Sequence, residues 1–272
     1  MDELCIVQIS DTHVCAPGQL LKNKFDSNHA LERAINQLNI EEYKIDCLLL
    51  SGDMVERGTQ EEYSHLKQIL KRLNQNIPVL FCLGNHDDME SFFQVFPNYF
   101  PDLLKESSAV ILSCSDKESG LNYCIDFHVA KLIVLDSSIK ETGWGEVSKT
   151  TLDWLEKILS DSATDTNILA LHHPPVPSLS QVMDTIALKN PEDLEDLLLS
   201  YRNVRLIVCG HVHRTIFSSF AGIQVAFCPS VVFQYPIYMT GDRKTPTNEQ
   251  PGFHVHKYVK EIGWSTHLRL IA

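Results

Sequence analysis

Six short apolar runs punctuate the chain: CIVQIS (5–10), DCLLLS (46–51), PVLFCL (78–83), KLIVLDS (131–137), NILALH (167–172) and VRLIVC (204–209). Successive side chains of a strand point to opposite faces, so a nearly unbroken apolar run predicts a strand buried on both sides. Helical patterns lie between the runs. Thr59 and Glu62 form a capping box ahead of Tyr63, Leu66, Leu70 and Leu73 on one face. Asn190 followed by Pro191 starts a helix whose apolar stripe is Leu194, Leu197 and Leu198. Leu152, Leu155 and Leu159 place a third helix at 149–160, and two more are expected at 28–41 and just after Met89. Alternating strands and helices predict an α/β architecture with helices covering sheets. From about residue 221 the helical signal fades, and IQVAFC, GFHVHKYV and STHLRLI read as strands around a polar stretch at 241–250. No Pro/Gly/Ser-rich linker divides the chain. The expectation is one domain, 1–272, with 221–272 as a β-rich segment placed to form a small cap or an oligomer contact.

Length and composition narrow the classes. The 272 residues suit one large α/β domain or two small ones. A net charge of -12, with no Lys/Arg block, argues against long nucleic acids as partners. It leaves room for a small phosphate-bearing substrate, because bound cations invert the local field. No run approaches the roughly 20 apolar residues of a membrane span. The opening MDELCIVQIS carries acidic residues where a signal peptide needs basic ones, so a cytoplasmic location is expected. The eight cysteines form no C-x-x-C pair and mostly sit in apolar runs, as reduced structural thiols do.

The chemistry follows the runs. CIVQIS leads to Asp11-Thr12-His13, DCLLLS to Gly52-Asp53, and PVLFCL to Gly84-Asn85-His86-Asp87. NILAL ends in His172-His173-Pro174-Pro175, and VRLIVC in Gly210-His211-Val212-His213. Ligands of open α/β sheets bind outside the carboxyl ends of strands. Carboxylate and imidazole together suit Mn, Fe, Zn or Co better than Ca. A carboxylate can bridge two cations in the clamp used for phosphoester hydrolysis. Gly52, Gly84 and Gly210 each precede a candidate ligand, where backbone must come close.

The ordered set D-x-H, G-D, G-N-H-D, H-H-P-P and G-H-x-H resembles the calcineurin-like metallophosphoesterase superfamily. Within it, QISDTH, SGDMVERGTQEEY (51–63), VLDSS (134–138), LDWLEKIL (152–159) and LHHPPVP (171–177) are most similar to the cyclic-nucleotide phosphodiesterase and glycerophosphodiesterase group. The resemblance implies a four-layer sandwich of two mixed β-sheets flanked by helices, and two divalent metal ions (Fe, Mn, Zn or Co) per chain. One ion would be held by Asp11, His13, Asp53 and His213. The other would be held by Asp53, Asn85, His172 and His211, with Asp53 bridging. The implied activity is metal-dependent hydrolysis of a small phosphodiester, first a 3′,5′-cyclic nucleotide such as cAMP. A glycerophosphodiester or a broader set of phosphoesters is the alternative, and a catalytically silent scaffold the alternative outside enzymes.

His86 is free of that ligand set and suits a phosphate contact or proton transfer to the leaving group. Asp53 and His86 are thus the catalytic candidates, with Asp87 anchoring a hydrogen bond behind them. Asn85, His86, Asn28, Arg57 and His173 are the candidate substrate contacts. Phe233, Tyr235, Pro236 and Tyr238 are placed to line a substrate wall or pack in a homo-oligomer. The tripeptide His-Val-His occurs twice. Strand alternation would put His211 and His213 on one side, as a metal pair. His254 and His256 find no unfilled ligand position and are expected to be an ordinary strand face.

Overall fold

The computed structural model describes residues 3–97, 110–114, 120–161, 166–237 and 245–271. Each apolar run becomes a strand. One sheet contains β1 (Glu3–Ile9), β2 (Cys47–Ser51), β3 (Val79–Cys82), β11 (Gly252–Val259) and β12 (Gly263–Leu270), in the order β12-β11-β1-β2-β3. β1, β2 and β3 run parallel, and the β11–β12 hairpin joins antiparallel to β1.

The second sheet contains β4 (Val110–Cys114), β5 (Tyr123–Asp126), β6 (Lys131–Val134), β7 (Asn167–Ala170), β8 (Val204–Cys209), β9 (Ile216–Phe220) and β10 (Ile223–Phe227). Its order is β4-β5-β6-β7-β8-β10-β9, parallel from β6 through β8 to β10 and antiparallel at both flanks. β4, β5 and β9 were not among the expected strands.

The alternation within each run sets the layers. Leu132 and Val134 of β6, and Leu206 and Val208 of β8, share a core with the first sheet and with Leu31, Ile35, Tyr63 and Leu66. Those last four come from α1 (Ser27–Asn39) and α2 (Gln60–Leu70). The intervening Ile133, Leu169, Ile207 and Cys209 turn the other way, onto Leu155, Leu159, Leu194 and Leu198. These belong to α4 (Lys149–Ser160) and α5 (Pro191–Tyr201). The result is helix, sheet, sheet, helix, with α3 (Met89–Val95) beside α2.

Local signals hold in detail. Thr59 accepts from the Glu62 N–H while Glu62 accepts from Thr59, closing the capping box. Pro191 opens α5, but the Asn190 side chain does not cap it; it bonds Val147 N and O instead, tying α5 to the start of α4. The edge strand β3 is served from the opposite sheet: Tyr123 Oη accepts from Phe81 N at 3.1 Å and donates to Phe81 O at 2.7 Å. Among the described residues no helix is long and apolar enough to cross a membrane.

Candidate metal centre

The carboxyl ends of β1, β2, β3, β7 and β8 converge. The segment after β1 runs beside the segment after β2, with Asp11 N donating to Gly52 O at 3.1 Å and His13 N to Asp53 O at 2.9 Å. The Asp11 carboxylate receives the His211 N–H, at 3.1 Å to each oxygen, so the first and last motifs are joined directly. Asp53 Oδ1 receives the His86 N–H at 2.9 Å. Glycine is required where these segments touch: at Gly52 the φ of +97° and the His172 ring beside its Cα both exclude a Cβ.

Five of the seven expected ligands adopt left-handed backbone: Asp11, His13, Asp53, His211 and His213, with φ between 41° and 70°. Each such non-glycine residue costs on the order of 1–3 kcal/mol. His211 and His213 therefore face the same side for a reason different from the expected one. β8 stops at Cys209, and two left-handed residues turn both rings inward, rather than strand alternation. β7 likewise stops at Ala170, so alternation does not separate His172 from His173, and both are buried.

The donor atoms face one another. His213 Nε2 lies 3.4 Å from Asp11 Oδ1 and 3.0 Å from His13 Nε2. Asp53 Oδ2 lies 3.8 Å from His13 Nε2 and 3.4 Å from His172 Nε2, and His172 Nε2 lies 3.3 Å from His211 Nδ1. The far ring nitrogens fix the tautomers. His172 Nδ1 sits 2.9 Å from Ser51 O, so in the neutral ring it carries the proton and leaves the lone pair on Nε2. His13 Nδ1 is 2.8 Å from Glu56 Oε2, a close polar contact on the side of the ring away from His213. Glu56 was not anticipated; it lies in the quoted segment SGDMVERGTQEEY, but nothing in its spacing marks it as facing His13.

Electrostatics match a cation site. Burial raises Asp11 to about 6. Burial also pushes Asp53 up, but the charge on His172 and His86 outweighs it and holds Asp53 well below the usual carboxylate range. Reciprocally, Asp53 overcomes burial at His172 and lifts it to about 9, while burial drives His211 down to about 3 and His213 well below its ordinary value. Asn85 Oδ1, His211 Nε2 and His213 Nδ1 are buried without a hydrogen-bond partner. Among the described residues four overlapping groups, Asp11/His13/His213, Asp11/Asp53/His172, His13/Asp53/His86 and His172/His173/His211, each bring their donor atoms within 4.8 Å of one another. Carboxylate and imidazole donors buried this close together fit divalent transition metals.

A cavity of about 140 Å³ opens onto this cluster, lined by His13, Asp53, Asn85, His86, His211 and His213 on one side and Phe233 and Tyr235 on another. His86 is anchored by Nδ1 to Glu56 O at 2.7 Å, leaving Nε2, and Asp53 and the Glu56 carbonyl raise its pKa against burial. Asn85 and His86 also line a larger polar cavity of about 720 Å³, whose wall includes the exposed Arg57.

Other expected contacts lie elsewhere. Asn28 Oδ1 is occupied by Cys15 N at 2.9 Å and lines neither cavity. His173 is fully buried behind the cavity, its ring 4.7 Å from that of His211 and its Nδ1 on Ser137 Oγ at 2.9 Å. Asp87 takes the anchoring part, accepting from Met54 N, Gly84 N and Tyr63 Oη. Phe233 and Tyr235 stack beside His213, at 4.7 and 5.2 Å between centroids, so these two aromatic residues turn toward the site; Tyr238 lies outside the described residues. His254 and His256 sit on β11, buried between the sheets and away from the cluster.

A sequence profile of the calcineurin-like phosphoesterase family matches residues 5–215. The chain is 34% identical over 270 residues to a probable glycerophosphodiester phosphodiesterase GpdQ of Arcobacter nitrofigilis, covering 98% of this chain and 93% of that one. It is 30% identical over 260 residues to a probable cyclic nucleotide phosphodiesterase of Rhodococcus erythropolis, covering 94% and 81%. A dimetal phosphatase of Danio rerio shares the fold, with a TM-score of 0.64, 16% identity and coverage of 99% and 96%. With every motif of the set in place at five converging strand ends, the chain belongs to the calcineurin-like phosphoesterase family.

Proposed function

We propose that this chain is a dimetal hydrolase of small phosphodiesters. The observation that carries the reading is the convergence of six buried aspartate and histidine side chains, Asp11, His13, Asp53, His172, His211 and His213, beside a cavity that Asn85 also lines. Asp11, His13, Asp53 and His213 would hold one cation, and Asp53, Asn85, His172 and His211 the other. Cations held there supply Lewis acidity toward phosphoryl oxygen and water. Asp53 is shared, and its Oδ1 is steadied by the His86 N–H. Glu56 contacts the His13 ring at 2.8 Å, and the Ser51 carbonyl holds His172 Nδ1 so that Nε2 faces the cluster. His86, fixed through Nδ1, offers Nε2 to a phosphoryl oxygen or to the departing alkoxide. A silent scaffold would have no need to keep five strained ligand positions.

The cyclic nucleotide is the first substrate reading. The Phe233–Tyr235 wall offers aromatic surface to a base beside the phosphate position. A glycerophosphodiester is the second, favoured by the larger polar cavity that Asn85 and His86 also line and by the relative at 34% identity. Strands from both ends of the chain meet in one sheet, which supports reading 1–272 as one domain. The reading places the enzyme in the cytoplasm.

The test is metal reconstitution with Mn, Fe, Co or Zn against cAMP, cGMP, glycerophosphoethanolamine and an aryl phosphomonoester. Metal content is measured on the same samples. Diester turnover with two equivalents of metal, lost in Asp53→Ala, is expected. Full activity after chelation, or in that variant, sinks the reading; preference for the monoester sinks the substrate class.

A further inference from the structure

Gln8 interrupts the apolar run of β1 and is fully buried between the two sheets. Its carboxamide is satisfied on every side. Nε2 donates to Ser51 Oγ at 2.8 Å and to Cys209 O at 3.2 Å, and Oε1 meets His256 Nε2 at 2.9 Å. The partners are not scattered. Ser51 ends β2, two residues before Asp53, and Cys209 ends β8, two residues before His211. Gln8 itself lies three residues before Asp11. One side chain thus ties three strand ends, across both sheets, just beneath the residues they deliver. Ser51 is engaged from its other side as well, since its carbonyl orients His172.

The far end of the amide is held in turn. His256 Nδ1 meets Thr266 Oγ1 at 2.9 Å. A neutral ring that donates from Nε2 and accepts at Nδ1 satisfies both neighbours and sets the orientation of the amide; reversed, Oε1 would confront the Cys209 carbonyl. A buried, fully satisfied polar chain of this kind specifies one arrangement of the elements it joins.

We propose that Gln8, held by His256, is a positioning residue for the metal centre, fixing the β2 end that carries Asp53 against the β8 end that carries His211 and His213. The inference rests on the dimetal reading above. It gives His256, the second histidine of the second His-Val-His, a part at the site without contact with it.

The test uses the full chain reconstituted with Mn²⁺. Gln8→Met keeps length and apolar bulk but removes both donors and the acceptor. Mn²⁺ affinity is measured by competition with a fluorescent chelator, together with the electron paramagnetic resonance spectrum of bound Mn²⁺ and the melting temperature. Affinity is expected to fall about tenfold, the usual lower bound for losing an outer support of a metal ligand, with an altered spectrum. Leu198→Ala, in the remote α5 core, is the matched control: it should lower the melting temperature and leave affinity and spectrum unchanged. Should Gln8→Met fail to fold, His256→Leu reads the same chain from its far end, and His256→Gln, which restores a donor to Gln8, should recover affinity. Variants that melt lower yet bind Mn²⁺ with wild-type affinity and spectrum would overturn the inference and leave the dimetal reading intact. A wild-type chain that binds no Mn²⁺ would overturn both.

Discussion

Replacing Gly84 by alanine adds one methyl at the tightest backbone approach in the site. The new Cβ would fall well inside 3.0 Å of Asp53 N and Oδ1 and at 3.0 Å from Gly52 C. These obstacles are mostly backbone and cannot swing away. Restoring ordinary contact requires the end of β3 to part from the end of β2 by roughly an ångström. The strain is expected to cost about 1–3 kcal/mol, the range for overpacking a closed interior. The functional cost is separate. Asp53 is the residue shared between both candidate ligand sets, and a misplacement of this size at a reacting centre lowers rates by about a hundredfold. Gly18→Ala separates the two effects. Gly18 has a φ of +79° with nothing within 4 Å of an added Cβ, so it pays only left-handed strain, about 1–2 kcal/mol. Both variants should therefore melt at lower temperature, by similar amounts. Only Gly84→Ala should lose metal affinity and kcat, measured by chelator competition and diester hydrolysis at saturating Mn²⁺. Wild-type kcat and affinity in Gly84→Ala would refute the geometric reasoning, as would an equal loss of rate in Gly18→Ala.

Glu56→Gln removes the carboxylate 2.8 Å from His13 Nδ1 and is expected to weaken metal binding or activity by roughly 10–100-fold; an unchanged metal titration would count against its support of His13. Tyr123→Phe leaves Phe81 N–H and C=O buried without their partner and should cost about 2 kcal/mol in urea unfolding, with kcat unaffected. His254 is buried with both ring nitrogens unpartnered, and burial lowers its pKa to about 4. The unfolded ring binds its proton near 6.5, so the folded state binds fewer protons between those values. Its contribution is complete above pH 6.5 and is lost as pH falls toward 4, about 3 kcal/mol in all. In the presence of chelator, His254→Leu should match or exceed wild-type stability at pH 7 and lose less on going to pH 5; parallel losses would refute the assignment.

The meeting of the candidate residues at five strand ends was legible in the sequence, as was the fold class. Ligand types announced themselves because each stood just past an apolar run, and the ends of runs are where parallel strands deliver side chains. The layers were legible for the same reason: a run such as CLLL (47–50) has no polar face, so it must lie between two others. β5 reads YCID, ending on a charge, and β9 reads IFSSF, so neither forms an unbroken apolar run, and both owe their pairing to neighbours brought in from elsewhere. The inward turn of His211 and His213 was right in outcome and wrong in cause, because left-handed backbone at histidine leaves no mark in composition. Glu56 and Gln8 went unmarked since each is recognised only by what it touches across the fold. Asn28 illustrates the reverse: a polar residue expected at the site whose carboxamide oxygen is taken by Cys15 N and which lines neither cavity.

The pairing of β1 with both β2 and β11 also bears on how this chain comes off the ribosome. Gln8 meets His256 across 248 positions of sequence, so β1 is made first and paired last on one side. Throughout synthesis of the intervening chain, an apolar strand would present an open row of N–H and C=O groups, the kind of edge that recruits strands from other molecules. Contacts this distant also slow folding, since the loop must close before they repay its entropy. Premature termination between His213 and β11 would leave all seven candidate ligands present in a product prone to aggregate, and a holding chaperone would have β1 as its natural target.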